Sequence, residues 1–127
     1  QPTSPVRMEG SIDDAYAHFL RSQADSLVSV SEFGHFLWKN YEEPQAIYDF
    51  MNRPRRKDVS AEDIRSRETG SIYITNTEIL LEDKNRLWGV ICCFLMTEKE
   101  GYEIDTPLDF IVVEAILESE IKDEVLC

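Results

Sequence analysis

Leu87 to Met96 is apolar at every position except Gly89, and a strand of that composition needs cover on both faces. Its longest unbroken part, Val90 to Met96, is far shorter than the ~20 apolar residues a membrane span requires. The rest of the chain must therefore supply neighbouring strands and covering helices. Upstream, Ile72 to Thr75 and Glu78 to Glu82 are short β-branched or apolar runs separated by Asn76-Thr77, and Asp83 to Arg86 reads as a turn. Downstream, Thr97 to Gly101 reads as a second turn and Tyr102 to Asp105 alternates as an edge strand. Such short connections predict an antiparallel meander of about four strands.

Helical spacing dominates the first half. Ser11 with Asp14 resembles a capping box, followed by Ile12, Tyr16, Phe19, Leu20 and Leu27, which predicts a helix over roughly Ile12 to Asp25. Further helices are expected over Glu32 to Asn40, with Gly34 weakening it, and from Pro44 to a stop before Pro54. Ser60 with Asp63 marks a short helix ending before Gly70. Near the end, Thr106, Pro107 and Asp109 form a helix opening: N-cap, proline in the first turn, acid near the positive helix end. That helix is expected to turn Leu108, Ile111, Val112, Ala115 and Leu117 toward the sheet and Glu114, Glu118 and Lys122 toward water. The fold class is α+β: N-terminal helices, then the antiparallel sheet, then a C-terminal helix.

With 127 residues, 43% apolar and 30% charged, the chain has the balance of one globular domain. That domain is expected to occupy residues 11–127. Residues 1–10 are expected to be a disordered lead, with Gln1 to Arg7 added ahead of a natural start at Met8, although a segment cut from a longer protein would look similar. Cys92 and Cys93 are adjacent on a strand and point to opposite faces, which makes them poor partners for one another. With Cys127 they suggest reduced thiols and a cytoplasmic protein.

Chemistry-bearing patterns are sparse. The five glycines are scattered and form no phosphate-binding loop. His18 and His35 have no metal-ligand spacing to each other or to the cysteines, and no calcium loop is present. The cysteines sit in an apolar strand, where a thiol serves as packing. Adjacent acids such as Asp13-Asp14 diverge by ~100° on a helix and do not converge on a substrate. No enzymatic activity and no cofactor or metal is expected.

Charge is the informative feature. Thirteen bases against twenty-five acids leave −12, and Glu98 to Cys127 alone holds ten acids against two lysines, a local −8. Arg53 to Arg67 runs the other way, six bases against three acids. A negative surface repels nucleic acid and anionic membrane and attracts basic proteins. Glu78, Glu82, Asp83, Glu98, Glu100, Glu103 and Asp105 fall on or beside the expected strands and turns, where a meander could gather them into one partner-binding patch. The expected function is a non-enzymatic protein-binding module, an inhibitor or immunity protein that neutralises a basic partner such as a nuclease toxin. The alternative is a homodimeric structural or adaptor protein joined through Trp88, Val90, Cys92, Phe94 and Met96.

Overall fold

The computed structural model describes residues 1–34 and 36–125, with side chains through residue 119. His35, Cys127 and the side chain of Lys122 lie outside the described residues. The chain divides into two compact units: unit 1 comprises Gln1–Ser31 and Glu68–Cys127, and unit 2 comprises Glu32–Arg67.

Unit 1 is α+β. Helix α1 spans Ser11–Ser22, with Asp13 and Asp14 in its first turn and Arg21 in its last, each matched to the helix dipole. Gln23 closes it in the left-handed conformation, φ 52°. The expected capping box is not made, because the Ser11 hydroxyl donates instead to Glu100 Oε1 at 3.0 Å. The buried face is also rotated from expectation. Ala15 is fully buried and Phe19 packs inward, while Ile12, Tyr16 and Leu20 stay exposed.

The next element is a strand, β1 (Ser26–Phe33), where the sequence predicts a connection and then the start of a second helix at Glu32. Its first six residues are all buried, so β1 is the strand that needs cover on both faces. A three-stranded sheet runs β4-β1-β5, with β4 at Arg65–Thr75 and β5 at Ile91–Met96. β5 runs parallel to β1, pairing Leu27 with Cys92 and Val30 with Leu95, which replaces the expected meander. The apolar strand, shortened to Ile91–Met96, is thus at the sheet edge; its residues alternate between exposed and partly buried up to Leu95, and Met96 is buried. Leu27, Ile72 and Met96 close on Ala15, joined by Phe19, Ile74, Cys92 and Phe94. Alternation places Val28 and Val30 on the opposite face, and Val6 and Val113 are the remaining buried aliphatics among the described residues of the unit.

Thr69 and Ile72 both reach the face of the sheet that carries Leu27, although three residues apart. A strict two-residue alternation forbids this, so β4 contains a bulge, and Gly70 supplies its left-handed residue at φ +62°. Ser29 repairs the interrupted ladder: its hydroxyl accepts the Ile72 N–H at 2.8 Å and pairs with Thr69 Oγ1 at 2.6 Å. This explains why the buried central strand carries a serine at position 29.

The segment expected as a strand at Glu78 to Glu82 is a helix, α2 (Thr77–Asp83). Asn76 decides the matter, because its Oδ1 accepts the Glu78 N–H at 3.0 Å and caps the first turn. Tyr102 to Asp105 is an extended segment without strand pairing in the three-stranded sheet. The final helix, α3 (Pro107–Val125), begins as its sequence indicates: Thr106 N–H donates to Asp109 Oδ2 at 2.7 Å and Asp109 N–H returns a bond to Thr106 Oγ1 at 3.3 Å. Its inward residue is Val113, whereas Leu108, Ile111 and Ala115 face solvent.

The first ten residues are part of the packing. Val6 and Ser4 are buried, Ile104 N–H donates to the Thr3 carbonyl at 2.8 Å, and Arg7 Nε donates to Ser71 Oγ at 3.1 Å.

Unit 2 has no α-helix among its described residues. A two-residue hairpin pairs β2 (Trp38–Lys39) with β3 (Gln45–Ala46), and single 3-10 turns occupy Arg56–Asp58 and Ala61–Asp63. The helices expected around Glu32 to Pro54 are absent because β-favouring aromatics dominate there. Phe36 meets Tyr48 edge-on at 5.1 Å, and Trp38 contacts both Tyr48 and Phe50. The short helix expected from Ser60 to before Gly70 shrinks to the 3-10 turn at Ala61–Asp63, with the Ser60 hydroxyl donating to Asp63 Oδ2 at 2.9 Å, because strand β4 begins at Arg65.

Candidate functional site

The seven carboxylates singled out from the sequence fall into distinct places. Glu78, Glu82 and Asp83 are exposed on α2. The Asn76 N–H donates to the Asp25 carbonyl, and Asp25 N–H donates to the Val90 carbonyl. These bonds put the start of α2 at the end of the sheet where β1 and β5 begin. Glu98 and Glu100 follow Met96 at the other end, about 17 Å along the strand at the usual rise. The structure therefore does not set all seven side by side.

Glu100 has a different task from the one its turn position suggests. It is 2% exposed, and its carboxylate accepts four hydrogen bonds. Oε1 takes the Met8 N–H at 2.9 Å and the Ser11 hydroxyl at 3.0 Å; Oε2 takes the Thr97 N–H at 2.9 Å and the Thr97 hydroxyl at 2.8 Å. Burial opposes its ionisation, but these donors outweigh it and hold the pKa below the ordinary 4.5. Glu100 ties the lead, the start of α1 and the turn after β5 together and cannot face a partner.

Glu103 is half-buried and accepts a bond from the Ser4 hydroxyl at 3.2 Å. It lies over Gly70, where a Cβ would collide with its carboxylate and with Ser4 Oγ. Asp105 and Glu98 are exposed. So are Glu114 and Glu118 on α3, which were read only as solvated helix positions.

The division into units sharpens the charge pattern. Unit 1 holds eighteen acids and six bases, a balance of −12; unit 2 holds seven of each, a balance of zero. The whole net charge of the chain resides on unit 1. The arginine-rich segment engages groups within its own unit. Arg53 stacks 4.2 Å from the Phe36 ring centre, Arg55 Nε donates to Asp58 at 2.5 Å, and Arg65 donates to the Ile47 carbonyl at 3.1 Å. Within unit 1, Arg86 is held 3.9 Å over the ring of Tyr73, whose hydroxyl donates to Glu68 at 2.7 Å. Burial and then the Glu68 bond raise the Tyr73 pKa.

Of the face offered for self-association, Trp88 and Val90 are exposed, Cys92 and Phe94 are partly buried and Met96 is buried. Phe94 packs toward α1 beside His18, ring centres 6.2 Å apart, and Met96 is buried. On β5 the exposed residues are Ile91, Cys93 and Leu95. Cys92 and Cys93 are free thiols.

Among the described residues, no group of three or more His, Cys, Asp or Glu side chains is arranged to hold a metal ion, and no helix is long and apolar enough to cross a membrane. What unit 1 offers is a set of exposed carboxylates on a scaffold fixed by buried hydrogen bonds. No protein-family model matches the chain.

Proposed function

We propose that the chain is a non-enzymatic binding module whose unit 1 engages a basic protein partner, with neutralisation of a cationic protein such as a nuclease toxin as the kind of task it performs. The observation that carries this reading is the segregation of charge: −12 on one compact unit and none on the other. Like charges held on one folded body repel one another, which costs stability. A complementary cationic surface relieves that repulsion and gains long-range steering during encounter. Exposure of Glu78, Glu82, Asp83, Glu98, Asp105, Glu114 and Glu118 leaves these groups accessible for such a contact.

The reading is tested by the salt dependence of binding. Partners retained by the immobilised protein at about 0.05 M salt are identified and their dissociation constants measured again at about 0.5 M. Screening over this range is expected to weaken association about tenfold or more, mainly through a slower association rate. Equal affinity at both salt concentrations would remove the electrostatic basis of the proposal.

A further inference from the structure

Charge alone steers a partner but does not fix its register, and unit 1 carries a concave apolar feature that could. A groove of about 430 Å³ is lined by Pro2 and Pro5 from the lead, Ile104 from the segment before α3, and Phe110, Val113 and Leu117 from α3 itself. The three α3 positions recur at helical spacing and form one stripe. The lead is held in place as the second wall by the Ile104-to-Thr3 backbone bond and the Ser4-to-Glu103 bond. The groove is within the size range of clefts that receive ligand groups. Glu114 and Glu118 also line it, so its apolar floor has an acidic margin.

These features narrow the occupant. A second copy of the chain would bring its own −12 against a segment, Glu98 to Cys127, that already carries −8. Fatty acids and anionic lipids meet the same repulsion. A cationic polypeptide with a large apolar side chain satisfies both parts: the side chain fills the groove and its flanking bases meet the carboxylates. We propose that this groove is the anchor site for an aromatic or large aliphatic side chain flanked by Lys or Arg on the basic partner. The inference rests on the charge reading above and adds to it a specific point of attachment.

Two synthetic peptides test it, one with a tryptophan at the centre of a Lys/Arg-rich segment and one with alanine in its place. Their affinities are compared for the wild-type protein and for Phe110→Asp and Leu108→Asp. Phe110 lines the groove and Leu108 does not, and both are more than half exposed, so each variant is expected to fold. The added charge affects both peptides alike, so the ratio of their affinities isolates the anchor. The tryptophan peptide is expected to bind the wild type about tenfold more tightly than its alanine analogue. This preference should fall to about twofold or less in Phe110→Asp and persist in Leu108→Asp. Equal, salt-sensitive binding of both peptides to the wild type would overturn the anchor site and leave the charge reading standing. A preference that survives Phe110→Asp would place the anchor elsewhere and likewise overturn it. Failure of both peptides to bind at about 0.05 M salt would defeat both readings.

Discussion

Replacing Glu100 by alanine is expected to lower the unfolding free energy by about 3 kcal/mol, because four donors now satisfied by one buried carboxylate would lose their acceptor. For a domain of this size that corresponds to a fall in melting temperature of roughly 10 °C. Glu100→Gln keeps one acceptor oxygen and should cost less. The contribution is also linked to pH. The folded-state pKa lies below the ordinary 4.5, so the folded protein binds this proton less readily than the unfolded chain. The stabilisation is therefore fully present above about pH 4.5 and is lost as the pH falls through the depressed folded value. Urea unfolding of the wild type and Glu100→Gln from neutral to acid pH checks this, since their difference should shrink below about pH 4.5. A constant difference would show that the carboxylate's charge is not what the site selects.

The second large effect is expected at Leu27. It is fully buried on the central strand and touches the cluster of Ala15, Ile72 and Met96 that joins α1 to the sheet. Leu27→Ala should cost about 3 kcal/mol, within the range of about 2–5 for such cavities. Partial collapse is restricted because β1 is bounded by strands on both sides. Denaturant unfolding at neutral pH measures it. A cost below about 1 kcal/mol would mean that α1 and the sheet are not packed through this residue.

Local signals were legible where local bonds decide the structure. Thr106, Pro107 and Asp109 open α3 as their types require, and Ile72 to Thr75 lies in β4. The α+β class follows from these together. Elements fixed by distant partners were not legible. β1 escaped because its serines look polar, and the reason Ser29 is tolerated, the Ile72 N–H it accepts and its hydroxyl pairing with Thr69, spans about forty residues of sequence. Parallel pairing of β1 with β5 is equally non-local, so short turns misled the topology toward a meander. α2 was misread because Ile79, Leu80 and Leu81 resemble a strand, while the Asn76 cap outweighs that preference.

The candidate surface shows the same division. Net charge and its excess toward the C-terminal end could be counted from residue types alone. Glu100 could not be told from a solvated turn acid, since its donors come from Met8 and Ser11 as well as neighbouring Thr97. The neutrality of unit 2 became countable only once the boundaries at Glu32 and Arg67 were known. Those boundaries cut through β1 and β4, where the sequence has no linker. The acidic feature is thus a property of a folded unit and not of a set of hairpins.

The central claim is that the partner contacts the unit that carries the charge. Carboxyl footprinting with a carbodiimide and a neutral amine, in the presence and absence of a partner retained at low salt, tests it most directly. Protection is predicted at unit 1 acids, including Glu114 and Glu118 and some of Glu78, Glu82, Asp83, Glu98 and Asp105, with Glu42, Glu43 and Glu62 of unit 2 labelled as before. Protection confined to unit 2, with the unit 1 acids labelled equally in both states, would contradict the account.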